Sequence, residues 1–373
     1  MTHQRPEGEH HAFYEAAEFL DAPADEQIPE REVSLKRRFL NWKTIGSIIF
    51  ALALLFLLFR VVLNVNLART WDFIAAANPL FLLLAFLAYY ATFPLRGWRW
   101  RFILARSGTQ VGLKDATEIL FLSWFVNCLV PAKLGDLYRA YLLKGNYGAS
   151  ASRTVGTIFI ERIADIIVIV FLALAAGFWS FRGREQSEVD AFFVIGFIVA
   201  IILVLLVVAL RYMGPRLTRF LPMRAQDLYE RFQEGSTGAL TVRTLPVIGL
   251  ATVGIWLLEG LRMYFVIRAL AMPDVGLGIS ASIFVALAAS LLTAIPLTPA
   301  GVGFVEAGIA LALGFYGVGG DPGAAVAFTD RAISILSVIV LGGIVYAVSK
   351  KVRRAHGAGP RDPKRAASVP SSY

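Results

Sequence analysis

Charged residues set into apolar sequence are where this chain can do chemistry. Glu161-Arg162-Ile-Ala-Asp165 and Asp330-Arg331 each stand in a long apolar stretch, and Glu259 and Arg262 stand three apart in another. On a helix, side chains three or four apart share neighbouring faces, which relates Glu161 to Asp165 and Arg162 to Asp165. Two further sets follow Pro/Gly interruptions: Lys133, Asp136 and Arg139 after Pro131-Ala132, and Glu306 after Pro296-Leu-Thr-Pro299-Ala-Gly301-Val-Gly303. Arginine forks suit phosphate through paired hydrogen bonds. Free amides at helix starts after the Gly-rich interruptions add an anion-attracting dipole. The expected chemistry is recognition of a phosphate by Arg139, Arg162 and Arg331, with Lys133 assisting and Arg262 nearby. Asp136, Glu161, Asp165, Glu306 and Asp330 would hold the arginines and could carry protons, with Glu259 as a structural ion-pair partner of Arg262. The alternative is that these residues are internal ion pairs between helices and that Pro299, Gly301 and Gly303 form only a packing kink.

Composition says what must surround such charges. The chain has 373 residues, 57% hydrophobic and 17% charged, with a mean hydropathy of +0.63. Soluble domains are nearer half apolar and a quarter charged, so a polytopic membrane protein is indicated. An Arg or Asp at the centre of a membrane helix costs about 2.5–3.5 kcal/mol on insertion scales and therefore turns toward protein or a cavity. Cys128 is the single cysteine, which excludes an internal disulfide and a multi-cysteine metal site. The four histidines (His3, His10, His11, His356) stand in the polar ends, so neither histidine catalysis nor a histidine-held metal is expected. No P-loop sequence is present, no cofactor is expected, and nucleic acid is not an expected partner despite the net charge of +9.

A membrane-crossing helix needs about 20 mostly apolar residues. Six runs meet that length: 44–63, 79–98, 152–181, 189–211, 244–270 and 323–349. The runs 114–130 and 277–295 end at the Pro/Gly interruptions and resume as short stretches, 137–147 and 302–317. Irregular backbone at membrane depth is tolerated only inside protein or along a cavity, so each reads as a re-entrant or broken helical hairpin. Pro131-Ala132 recurs as Pro299-Ala300, Gly135 as Gly303, and Glu161-Arg162 as Asp330-Arg331. The predicted fold is all-α: six full spans plus two broken hairpins in an inverted repeat, repeat 1 over about 114–181 and repeat 2 over about 277–349. An acidic disordered tail is expected over 1–38, a single membrane domain over 39–350 and a basic disordered tail over 351–373. The segment 212–243 reads either as a surface helix or as a loop. Lys and Arg accumulate on one predicted side, with Arg99, Arg101 and Arg106 among them, which puts both termini in the cytoplasm and the chain in the cytoplasmic membrane. Trp71, Trp98, Trp100 and Trp179 read as interfacial anchors.

The ordered set Asn127-Cys-Leu-Val-Pro131-Ala-Lys-Leu-Gly135-Asp136-Leu-Tyr-Arg139, Glu161-Arg162-Ile-Ala-Asp165, Pro296 to Glu306 and Asp330-Arg331 resembles the flippase-like integral membrane family, the membrane region of lysylphosphatidylglycerol synthases. The resemblance covers about residues 40–350, with Asp136 where the family commonly has Glu. It implies movement of phospholipids or of polyprenyl- or hopanoid-type lipids between leaflets, by a protein that is not itself an enzyme. The synthases' aminoacyl-transferase portion has no counterpart in the short stretch after the last span. Two other readings stand beside it: an intramembrane lipid transferase or hydrolase, and a non-transporting regulator of lipid or glycan biosynthesis.

Overall fold

The computed structural model describes residues 65–130, 133–182, 223–237, 243–270, 277–293 and 298–357, with isolated positions between 194 and 205 and at 241. The acidic tail, the run 44–63, most of the run 189–211, Pro131-Ala132, Pro296 and the residues after 357 lie outside that set. Among the described residues the regular elements are all helical. In chain order they are α1 Leu67–Ala75, α2 Pro79–Arg106, α3 Leu113–Leu129, α4 Leu134–Tyr147, α5 Ala151–Ser180 and α6 Met223–Thr237. There follow α7 Leu245–Ala269, α8 Ile279–Leu292, a 3₁₀ turn Pro299–Gly301 and α9 Phe304–Gly314. Last come α10 Gly320–Val348, a continuous helix with a π turn at Ala332–Leu336, and α11 Lys350–Gly357.

Local sequence sets these limits. Asn66, Asn78 and Ser150 cap α1, α2 and α5 through their side-chain oxygens, and left-handed Gly148 closes α4. Helices α2, α7 and α10 are long and apolar enough to cross a membrane. Helix α5 has 30 residues, about 45 Å at 1.5 Å per residue, but its centre carries Glu161, Arg162 and Asp165.

Helices α2 and α7 pack antiparallel. Phe81 stacks on Phe265, Arg96 meets Glu259, Arg99 donates to Thr252, and Ile103 packs with Ile248. The two interrupted segments fold back as expected: α3 packs on α4 and α8 on α9. They close at different ends of the molecule. The outer end of α3–α4 meets the end of α10: Asp115 and Glu118 bind Lys351, and Asn146 donates to the Lys351 carbonyl. The outer end of α8–α9 meets the end of α5, where Phe181 packs on Phe284, Phe315 and Tyr316.

Three expectations need correction. Helix α2 continues past residue 98 to Arg106, so Arg99 is not a loop residue; it is 2% exposed and paired with Asp165. The arginines dilute the hydropathy of this turn, yet buried carboxylates neutralise two of them and the helix runs on. Trp100 is fully buried rather than interfacial, whereas Trp71 and Trp179 are exposed. The basic stretch after 350 opens as α11, packed on α4. The helical alternative for 212–243 is seen over α6, which lies on α5 where Gly156 meets the Phe232 carbonyl and Gly235 the Arg153 carbonyl.

Candidate functional site: a charged cavity between two helix breaks

The break between α3 and α4 turns at Lys133, whose φ of 53° and ψ of 34° are left-handed. Few residues other than Gly take this conformation. Gly135 then lies so close to α3 that a Cβ would overlap the Ser123 carbonyl and stand 2.6 Å from Asn127 Oδ1. Its amide donates to that oxygen at 2.8 Å. Asp136 accepts from Arg162 Nη2 and Nε at 2.8 and 3.1 Å, the paired geometry of a carboxylate and a guanidinium.

The break before α9 has the same parts. Ala300 has a φ of 50° and, with Lys133, is one of two non-glycine residues with positive φ among the described residues. Gly301 and Gly303 follow at φ of 71° and 91°. Glu306 accepts from the Gly303 amide at 2.7 Å and from Arg331 Nε at 3.0 Å. Arg331 also donates to the Ala300 carbonyl at 2.5 Å. In both cases a carboxylate in the first turn after the break binds an arginine from the long helix that follows in sequence. Arg331 immediately precedes the π turn of α10, a local widening that often marks a functional site.

A cavity of about 160 Å³ lies between these breaks, room for a few waters or a group of similar size. Lys133, Arg162, Glu259, Arg262, Gly301, Asp330 and Arg331 line it, with Arg96, Trp124 and Trp256. The charges of the wall and of the layer behind it form a relay of pairs. Arg96 binds Glu259 at 2.9 Å, and Arg262 joins Glu259 at 3.0 Å to Asp330. Arg99 lies 2.6 Å from Asp165 and 3.5 Å from Glu161, while Arg139 meets Glu161 at 2.7 Å and covers the Trp100 ring. A buried charge is tolerable only when paired, and here six arginines and six carboxylates pair among themselves.

The structure therefore divides the residues singled out in the sequence. Lys133, Arg162, Arg262, Asp330, Arg331, Gly301 and the ion-pair residue Glu259 face the cavity. Asp136 and Glu306 hold its arginines from behind. Arg139, Glu161 and Asp165 form the deeper part of the relay, and Pro299 and Gly303 shape the second break. Arg162 does not pair with Asp165 three residues on; Asp165 is taken by Arg99 and the Trp256 indole. Arg96 and Arg99 were missed. The signal was present: two arginines three apart at the end of an apolar run share a helix face. Among the described residues no group of three or more His, Cys, Asp or Glu could hold a metal.

Comparison with known proteins agrees with this architecture. The family described as the lysylphosphatidylglycerol synthase transmembrane region matches residues 44–342. The chain belongs to that family. The match takes in both breaks and every residue of the charge relay. Among this family member's relatives, a UPF0104 membrane protein of Methanocaldococcus jannaschii is 33% identical over 227 residues, 61% of this chain and 95% of that protein. A UPF0104 membrane protein of Methanothermobacter thermautotrophicus is 26% identical, covering 73% of this chain and 86% of its own length. The glycosyltransferase AglD of Haloferax volcanii is 26% identical over 62% of this chain and 42% of that protein. The family and the apolar helices make this a multi-pass integral membrane protein.

Proposed function

We propose that the protein is a transbilayer lipid translocase that takes the phosphate of an anionic lipid head group into the cavity while the acyl or prenyl chains stay in hydrocarbon. The carrying observation is that both helix breaks and the two arginines they hold, Arg162 and Arg331, line one cavity. Asp136 and Glu306 fix each guanidinium from behind, so the forks are positioned before a ligand arrives. The hairpins close at opposite ends of the molecule and carry matching left-handed turns, which supports an inverted repeat. Rocking of one half against the other would then open the cavity alternately to each leaflet, from a cytoplasmic membrane with both termini inside. A phospholipid and a polyprenyl phosphate offer the same phosphate to this site, and the relation to a protein named a glycosyltransferase favours including lipid carriers of sugars among the cargoes tested.

The test is transfer of fluorescent phosphatidylglycerol between leaflets of reconstituted vesicles. The wild type is expected to accelerate transfer over protein-free vesicles, and Arg162→Ala/Arg331→Ala to abolish the acceleration. A wild-type rate no higher than in protein-free vesicles, for phosphatidylglycerol and a polyprenyl phosphate alike, overturns the reading.

A further inference from the structure

The six arginines and six carboxylates of the relay balance in formal charge. Lys133 is the cation left over. It faces the cavity, and among the described residues its ammonium group has neither a hydrogen bond nor a salt bridge. Its counterpart in the other break, in the register that pairs Pro131-Ala132 with Pro299-Ala300, is Gly301, also left-handed at a φ of 71° and without charge. The helix starts differ as well. The start of α9 is met by a carboxylate, Glu306 on the Gly303 amide, whereas the start of α4 is met by the neutral Asn127 side chain on the Gly135 amide, and Asp136 is turned to Arg162. Two geometrically matched breaks thus flank the cavity, and only one presents an uncompensated positive charge. A left-handed position is also a costly place for a lysine where glycine would be cheaper.

We infer that Lys133 is the specificity-determining residue of the cavity, selecting a head group with net negative charge over a zwitterionic one and seating its phosphate nearer the first break than the second. This rests on the translocase reading of the same site. Without Lys133 the cavity wall and its supports are formally neutral, and Arg162 and Arg331 then meet the phosphate of a zwitterionic and of an anionic head group alike. With it, one negative charge is balanced inside a region of low dielectric, where a charge acts more strongly than in water.

The experiment compares fluorescent phosphatidylglycerol with fluorescent phosphatidylcholine in vesicles containing the wild type, Lys133→Gln or Lys133→Arg. The wild type is expected to move phosphatidylglycerol faster. Lys133→Gln should cut the ratio of the two rates by about tenfold or more, chiefly through the anionic lipid, and Lys133→Arg should keep it. A ratio unchanged in Lys133→Gln, or both rates lowered equally, overturns the role of Lys133 while leaving translocation standing. If the wild type moves neither lipid, nor a polyprenyl phosphate, the translocase reading fails, and a binding measurement decides the Lys133 inference separately. Cys128, the single cysteine, lines the same cavity, so its alkylation rate reports occupancy. Protection by phosphatidylglycerol in detergent micelles that is lost in Lys133→Gln supports the inference, and equal protection in both overturns it. Inorganic phosphate is the third arm. Protection by it as strong as by the lipid overturns the assignment of the site to a lipid head group.

Discussion

Asp330 and Asp136 each pair with an arginine that lines the cavity, yet their surroundings differ. The side chains of the Arg262–Asp330 pair are 6% and 3% exposed; those of Arg162–Asp136 are 27% and 17% exposed. Removing one partner of a buried pair strands the other charge and costs about 3–5 kcal/mol, whereas water can partly replace a partner at the wetter pair, for about 1–2 kcal/mol. Asp330→Asn is therefore expected to lower the thermal midpoint in detergent clearly more than Asp136→Asn. The reverse order would show that the cavity, not the relay behind it, supplies the stability. Asp136→Asn should instead strike function, because Arg162 loses its paired support: vesicle transfer of phosphatidylglycerol should fall with little change in midpoint.

Each hairpin depends on a close approach of its two arms. Gly135 lies against the Ser123 carbonyl and Asn127, and Gly308 lies against Leu292 Cδ1 at 2.5 Å and Ala289 Cα at 3.3 Å, measured from where a Cβ would stand. Gly249 of α7 meets nothing within 4 Å. Overpacking a tight contact costs about 1–3 kcal/mol, whereas Gly to Ala in an open helix position gains roughly 0.5–1 kcal/mol. Gly135→Ala should thus lower the thermal midpoint and Gly249→Ala raise it slightly. Matching shifts at the two sites would mean that the first hairpin is loose enough to accommodate a methyl group. The sequence placed a glycine after the break in each half, but not which atoms require it, because the arms meet only after the chain reverses.

At the scale of the whole molecule, α11 fastens the end of α10 to the first hairpin. Lys351 binds Asp115 at 2.7 Å and Glu118 at 2.9 Å, Ser349 donates to Glu118, and Tyr141 donates to the Ala355 carbonyl. Burial opposes the charge on Lys351, but its hydrogen bonds and attraction to both carboxylates outweigh this and raise its pKa above the usual lysine value of 10.5. A raised lysine pKa gives stability that is full below 10.5 and is lost as pH climbs through the raised value, so this fastening holds throughout the neutral range. Lys351→Gln should speed hydrogen exchange over 350–357 at pH 7, and unchanged exchange would assign the docking to α11's apolar contacts alone. Orientation is tested on the same scale. In a Cys128→Ser background, cysteines at the exposed positions Arg353 and Arg69 should label from the cytoplasmic and the opposite face respectively. Labelling of both from one face would undo the topology with both termini inside.

What the residues determined alone follows from short-range physics. Apolar length gives long helices, a Pro or Gly cluster stops them, and a charge in such a stretch must turn inward, so the all-helical membrane character and the two breaks were legible from the chain. The choice of partner was not. Arg162 passes over Asp165 on its own helix for Asp136 of α4, while Asp165 goes to Arg99, a residue that hydropathy assigned to a loop. Spacing along one helix ranks only neighbours, and a guanidinium takes the carboxylate that meets both its nitrogens, wherever packing brings one. The tertiary structure also left Lys133 without an ion pair beside six paired arginines, because charge balance in a cavity is a property of everything that surrounds it.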